Sequence, residues 1–162
     1  MQKAAPELEV TLSSELGRIG LLKRENVTIL NAALRGLARR TTAAFVRAVE
    51  VSGLSAPLYL TQNDGTIIRH KQASRFPLYC FASGPTNSMR VAAVLSGVQS
   101  ALVVEAGGTT SDIGSLQDSF PRQANAAVEV WGIRTLFRMP DLLALRLGAG
   151  TWSRMTAPAS GH

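Results

Sequence analysis

Apolar residues recur at intervals of three and four along the segment that begins at Asn26. The positions on this stripe are Val27, Leu30, Leu34, Leu37, Thr41, Ala44, Phe45 and Ala48. Because residues three and four apart share one side of an α-helix, this spacing predicts a long amphipathic helix. Gly53 is the residue type that commonly follows the end of a helix. Residues 1–25 lack such a period and are predicted to form an extended lead-in.

Two short apolar segments follow, at 58–60 and 66–68, with the residues Asn63, Asp64 and Gly65 between them. Asn, Asp and Gly are favoured in tight turns because they accept backbone conformations that other residues avoid. The pattern therefore predicts a strand, a tight turn and a second strand.

Strands and helices continue to alternate beyond this hairpin. Thr86 is predicted to cap a second helix that stops at Gly97. The uninterrupted apolar run 101–104 is typical of a strand buried on both faces, and a further strand is expected through Ile113. This alternation indicates an α/β fold with a mixed β-sheet and flanking helices.

The charge balance points to an anionic partner but not to a nucleic acid. The chain has 17 basic and 11 acidic residues, a net charge of +6, and only 6% aromatic residues. The basic residues are dispersed, and a single-stranded nucleic-acid platform would need them interleaved with stacking rings. A nucleotide or an acidic companion subunit remains compatible with this charge, as does a simple solvated surface.

The composition also bears on the cellular compartment. No apolar stretch approaches the length of a membrane helix, and the N-terminus has no secretory leader pattern. The single cysteine, Cys80, cannot form an internal disulfide and lies in an apolar run, where an inert buried thiol is expected. His70 is isolated from any recognisable nucleophile, which argues against a hydrolase triad. We therefore expect a cytoplasmic protein without a membrane partner.

The segment from Glu105 to Asp112 carries the most chemistry. Between these two acids stand Ala106, the pair Gly107 and Gly108, the pair Thr109 and Thr110, and Ser111. Glycines let backbone N–H groups approach an anion, and threonine hydroxyls can donate to phosphate oxygens. The two carboxylates could hold Mg²⁺ through its water ligands. The same residues also suit a plain hairpin in which Asp112 accepts turn hydrogen bonds, and spacing alone leaves both interpretations open.

Four further segments, taken in their order along the chain, add to the pattern of the glycine segment. They are Thr61 to Thr66, Phe81 to Arg90, Gly132 to Thr135 and Phe137 to Asp141. Together with the glycine pair, these segments resemble the hydantoinase/oxoprolinase family, in particular its hydantoinase A or N-methylhydantoinase subunits. The glycine segment itself is similar to a phosphate loop of the actin-like ATPase superfamily. The resemblance runs from about Val10 to about Thr151.

This resemblance implies a partial actin-like (ribonuclease H-like) ATPase domain over residues 26–151, with a flexible tail at 152–162. It implies ATP-driven ring opening of cyclic amides such as hydantoins or 5-oxoproline, with Mg²⁺ or K⁺ beside the ATP. In such an enzyme the substrate carbonyl is phosphorylated and then hydrolysed, usually with a second subunit.

The resemblance also implies roles for individual residues. Asp112 is the expected catalytic acid, and Glu105 with Asp112 is the expected Mg²⁺ pair. The residues expected at the nucleotide are Gly107, Gly108, Thr109, Thr110, Gly148 and Gly150. Those expected at the substrate cleft are Asn63, Asp64, Arg134, Arg138 and Asp141.

The chain departs from the family at four positions. Glu105 replaces an aspartate, Trp131 a glycine, Leu136 an asparagine, and Ala149 the middle residue of a triple glycine. The first phosphate loop of an actin-like clamp, which the resemblance places near the N-terminus of an intact family member, has no counterpart here either. We therefore expect low activity from the chain alone, together with homo-oligomerisation or a completing second subunit. The alternative is a non-catalytic assembly or interaction module.

Overall fold

The computed structural model describes residues 10–17, 20–124, 129–130, 132–135, 138–148 and 150. The helices are α1 (Ser13–Leu16), α2 (Leu21–Val51), α3 (His70–Arg75) and α4 (Ser83–Ser96), and Pro77–Cys80 forms a 3-10 turn. The strands are β1 (Tyr59–Thr61), β2 (Ile67–Arg69), β3 (Ala101–Ala106), β4 (Ser111–Gln117), β5 (Phe120–Pro121), β6 (Glu129–Val130), β7 (Ile133–Arg134) and β8 (Leu142–Leu145). None of the helices in these ranges combines the length and apolar character of a membrane span.

The long helix predicted from the apolar stripe is confirmed as α2, and Gly53 follows its end with a φ of 71°. The extended conformation expected before residue 26 is wrong for the described part of that segment, which contains α1 and the first turn of α2. Leu16 gives the physical reason, since it is 8% exposed and joins a buried cluster with Val27 and Leu30. That tertiary contact outweighs the weak local pattern. The division of the chain near residue 25 stays a prediction.

Only the N-terminal half of the predicted stripe on α2 is buried. Val27 and Leu30 are 2% and 8% exposed, and they pack with Phe76 and Leu78. Leu37 and Phe45, farther along the same stripe, are 57% and 49% exposed. The periodicity therefore located the helix but not the extent of its packing.

The turn predicted at Asn63, Asp64 and Gly65 is confirmed as the connection between β1 and β2, which pair antiparallel. Gly65 has a φ of 84°, a conformation that favours glycine. The Asp64 carboxylate accepts hydrogen bonds from the N–H and the hydroxyl of Thr66, at 3.0 and 2.6 Å. These contacts are the Asx-turn chemistry that makes aspartate common at such positions.

The second predicted helix is confirmed as α4, which ends before Gly97 in the left-handed conformation. Thr86 does not cap it, because α4 already begins at Ser83. The Thr86 hydroxyl is instead buried and donates to the carbonyl oxygens of Asn63 and Ala82, at 3.2 and 2.9 Å.

The main sheet is built around β4. One edge of β4 pairs with β3, and the other pairs with β5 and β8 in succession. Helix α4 packs on one face of this sheet, where Met89, Ala93 and Leu116 form a second buried cluster. The α/β class with flanking helices is confirmed. All described strand pairs are antiparallel, so the parallel pairing expected of a mixed sheet does not occur in the described residues.

The opposite face of the sheet is left bare by the helices that the structure describes. Leu102 and Val104 on β3 are 76% and 64% exposed, and Leu143 on β8 is 58% exposed. The expectation that segment 101–104 is buried on both faces is therefore wrong for this structure. Successive residues of a strand point to opposite faces, and α4 covers only one of them.

Candidate functional site

The glycine segment forms the turn between β3 and β4. The N–H of Gly107 donates to the carbonyl oxygen of Thr110 at 2.8 Å, just beyond the last strand pair, Ala106 with Ser111. Gly108, Thr109 and Thr110 are exposed at the tip. The hairpin interpretation of this segment is thus confirmed, and an exposed tip is also what a phosphate-binding turn requires.

The two glycines of this turn have different surroundings. A Cβ added to Gly107 would lie 3.2 Å from the carbonyl oxygen of Thr110, so the turn itself disfavours a side chain there. A Cβ on Gly108 would meet no heavy atom within 4 Å, and the φ of Gly108 is not in the left-handed region. The hairpin therefore does not require glycine at position 108. The free space over its backbone is accessible to an approaching molecule.

Gly148 lies directly against this turn. A Cβ added to Gly148 would lie 2.5 Å from the carbonyl carbon of Gly108 and 2.6 Å from the N atom of Thr109. The Ser111 hydroxyl holds the same segment by donating to the carbonyl oxygen of Leu147 at 2.5 Å. Only glycine permits this backbone contact. The structure thus brings together five of the six residues predicted at the nucleotide, namely Gly107, Gly108, Thr109, Thr110 and Gly148.

The surroundings of Gly150 differ from those of Gly148. Gly150 is exposed, and a Cβ there would meet no heavy atom within 4 Å. Ala149, Trp131 and Leu136, at which the sequence departs from the family, lie outside the described residues.

The two acids beside the turn are direct neighbours. Glu105 on β3 and Asp112 on β4 are paired across the hairpin, so their side chains lie on the same face of the sheet. Both residues are half-buried, and Oε2 of Glu105 is buried without a hydrogen-bond partner. Like charges directly opposite each other in a sheet are destabilising. A cation between the two carboxylates would remove this repulsion and give Oε2 of Glu105 a partner.

A metal bound by Glu105 and Asp112 would need further ligands that the described residues do not supply. Among the residues that the structure describes, no group of three or more His, Cys, Asp or Glu residues could hold a metal ion. Two carboxylates nevertheless fit Mg²⁺, which usually keeps several water ligands and takes others from substrate phosphates.

Asn63 is buried. It is 3% exposed, its amide nitrogen donates to the carbonyl oxygens of Leu78 and Arg138, and its amide oxygen accepts from the N–H of Ala82. Its side-chain oxygen and nitrogen are therefore bonded inside the protein, and its expected place at the substrate cleft stays a prediction. Asp64, in the same turn, is engaged with Thr66.

The remaining cleft candidates are separated from the glycine turn. Arg134 and Arg138 are exposed, and their backbone carbonyls accept hydrogen bonds from Asn26 and Asn63. Asp141 lies 3.5 Å from Arg122 and precedes Leu142, which pairs with Gly114. Because the turn ends just before Ser111, a rise of 3.3 Å per residue puts Asp141 roughly 10 Å or more along the sheet from it. The structure therefore does not gather these three residues at the turn.

The thiol of Cys80 has the inert character expected from its apolar neighbourhood. Burial raises the pKa of this thiol to about 11. The thiolate is the nucleophilic form of cysteine, and at neutral pH it is nearly absent at such a pKa. Cys80 is therefore not a candidate nucleophile.

Sequence reasoning missed Ser111 as part of the site. Its hydroxyl joins the end of the glycine turn to Leu147. Ser111 lies inside the motif, between Thr110 and Asp112, so its position was available as a signal. Its partner is 36 residues away, however, and no local pattern connects the two.

The comparisons with known proteins agree with this architecture. The sequence profile described as hydantoinase/oxoprolinase matches residues 24–160. The fold is similar to that of acetone carboxylase in a nucleotide-free structure from a study of ATP-dependent acetone carboxylation, with a TM-score of 0.64 and 17% sequence identity. That similarity covers 85% of this chain but only 20% of the acetone carboxylase chain. A search of curated proteins gave no match. Since the family profile spans most of the sequence, the chain belongs to the hydantoinase/oxoprolinase family.

Proposed function

We propose that the turn at residues 107–110 binds the phosphate groups of ATP. The observation that carries this proposal is Gly108, a glycine that neither backbone conformation nor packing requires. A missing side chain at an exposed turn tip lets a phosphate approach the backbone closely. Gly148, in contact with the same turn, would limit the site on one side.

Mg²⁺ is the proposed companion of the nucleotide. Glu105 and Asp112 would hold it through water ligands, and the buried, unpartnered Oε2 of Glu105 supports this assignment. The ion would neutralise phosphate charge when bound. The protein's own part is to fix two carboxylates at adjacent strand positions beside the turn. Asp112 is the proposed catalytic acid, and K⁺ is an alternative companion ion.

At the level of the whole enzyme, we propose ATP-dependent ring opening of a cyclic amide such as a hydantoin or 5-oxoproline. Family membership and the fold shared with an ATP-dependent carboxylase support this proposal. The chain spans about a fifth of the acetone carboxylase chain. Turnover would therefore depend on further protein, either a second hydantoinase subunit or additional domains.

A second candidate function is a non-catalytic assembly module. Glu105 favours it, because its extra methylene relative to the family's aspartate would displace a bound ion by about an ångström, and such shifts are costly for catalysis. Nucleotide affinity separates the two candidates, because a module that has lost its ligand would show none.

The deciding experiment is calorimetric titration of Mg·ATP into the protein and into Gly108→Val. We expect a Kd between roughly 1 µM and 1 mM for the wild type, and at least about tenfold weaker binding in the variant because valine blocks the phosphate. Gly84→Val is a matched control, since Gly84 on α4 also has no heavy atom within 4 Å of an added Cβ. Equal heats in all three proteins would place any nucleotide elsewhere. Absence of binding in all three would support the assembly module.

A further inference from the structure

A groove runs along the C-terminal half of α2, far in sequence from the glycine turn. It has two lobes that share Val46, Glu50 and His70. One lobe, of about 470 Å³, lies between α2 and α3, and the other, of about 340 Å³, lies between α2 and the segment 54–58. Each volume falls in the range of roughly 300–1,000 Å³ that is usual for small-molecule sites.

The lobe between α2 and α3 is cationic. Arg39 and Arg47 of α2 line it together with Lys71 of α3. Glu50 is the single carboxylate among its lining residues. The positive charges of Arg47 and Lys71 attract a negatively charged group, and guanidinium groups bind carboxylates and phosphates through paired hydrogen bonds.

The other lobe has an apolar wall. Val49, Leu54, Pro57 and Leu58 form this wall, and the shared Glu50 and His70 lie with Ser55 among the remaining lining residues. Leu54 is 62% exposed, so covering it would remove apolar surface from water. The two lobes thus differ in chemistry and adjoin at Val46, Glu50 and His70.

We infer that this groove binds a small organic anion with an apolar body. The phosphate or carboxylate head lies in the cationic lobe against Arg47 and Lys71, and the hydrocarbon part lies in the other lobe against Leu54 and Leu58. The site is separate from the glycine turn and does not depend on ATP. It would give the protein a second ligand-binding site.

The test uses hexyl phosphate, inorganic phosphate and hexanol, each titrated without ATP and followed by ¹⁵N–¹H NMR shifts. We expect hexyl phosphate to shift residues of both lobes and to bind at least about tenfold more tightly than inorganic phosphate, because the alkyl chain leaves water. Heptanoate, which carries a carboxylate on the same hexyl chain, should bind at the same residues. Hexanol should bind weakly or not at all.

Two variants separate the lobes. Arg47→Gln combined with Lys71→Gln should weaken hexyl phosphate and inorganic phosphate alike, whereas Leu54→Ser should weaken only hexyl phosphate. Arg40→Gln combined with Arg69→Gln removes the same charge from exposed positions that do not line the groove, and should leave both affinities unchanged. Equal loss in both double variants, or shifts spread over the basic surface, would overturn the inference in favour of diffuse attraction. Shifts confined to residues 107–110 would overturn it by assigning the anion to the turn.

Discussion

Asn63 connects four segments of the chain by hydrogen bonds. Its side chain bonds to the 3-10 turn at Leu78, to the start of α4 at Ala82 and to the segment at Arg138, while its own backbone stays in the β1–β2 turn. Buried polar groups are costly when they lose their partners. The stabilising role of the Asn63 side chain thus follows from the number of its partners, all of which are backbone groups.

Replacing Asn63 tests this role. Asn63→Ala leaves the N–H of Ala82 and the carbonyl oxygens of Leu78 and Arg138 without this partner, so we expect the free energy of unfolding to fall by about 3 kcal/mol. Urea denaturation monitored by circular dichroism measures the change. Asn87→Ala, at an exposed position on α4, is the control and should change stability by less than about 0.5 kcal/mol. A loss below about 1 kcal/mol for Asn63→Ala would show that water replaces the amide.

At the scale of elements, the approach of α4 to the sheet depends on Gly114 of β4. A Cβ at this position would lie 2.5 Å from Sδ of Met89 and 2.9 Å from Cδ2 of Leu142. Met89 is 3% exposed and belongs to the cluster between α4 and the sheet, so its side chain has little room to move. Gly114 therefore sets how closely the helix packs.

Gly114→Ala should lower the free energy of unfolding by about 1–3 kcal/mol, because it overpacks this cluster. Met89→Ala should itself destabilise the protein by about 2–5 kcal/mol through a cavity. In the double variant the new methyl occupies part of that cavity. We therefore expect the double variant to lose less stability than the sum of the two single variants, by at least about 0.5 kcal/mol.

A helical glycine with space around it provides the control for this cycle. Gly36→Ala on α2 should be neutral or stabilising, because its added Cβ would have only Arg40 as a neighbour, at 3.7 Å. Strict additivity of Gly114→Ala and Met89→Ala would mean that α4 moves away from the sheet as a unit.

At the scale of the whole molecule, the bare sheet face exposes apolar side chains that an isolated globular protein would usually bury. Leu102, Val104 and Leu143 are exposed together on this face, and the described part of the chain pairs only one edge of β3. Contiguous apolar patches and open strand edges both promote association. Completion of this face by other protein is compatible with the small share of the acetone carboxylase chain that this chain covers.

We predict that the isolated chain self-associates through this face. Sedimentation velocity over a concentration series should show oligomers, and Leu102→Lys combined with Val104→Lys should shift the population toward monomer, because buried lysines oppose association. Leu95→Lys, at an 82% exposed position on α4, removes a similar apolar side chain from another surface and should have little effect. A monomeric wild type at every concentration would contradict this prediction.

The sequence by itself determined the features that depend on neighbours along the chain. The three-and-four spacing predicted α2, the residues Asn63, Asp64 and Gly65 predicted the β1–β2 turn, and Gly97 predicted the end of α4. The glycine pair predicted the turn between β3 and β4. These features follow from backbone conformation and from amphipathic periodicity, which a few consecutive residues express.

Tertiary structure alone decided which of these surfaces are covered and which distant residues meet. The contact of Gly148 with Gly108, the burial of Asn63 and the bare face of β3 depend on segments tens of residues apart or on which side of the sheet the described helices cover. The pairing of Glu105 with Asp112 needed the strand register. Local preference does not encode such contacts, because their free energy comes from packing and hydrogen bonding between elements that are brought together only when the chain folds.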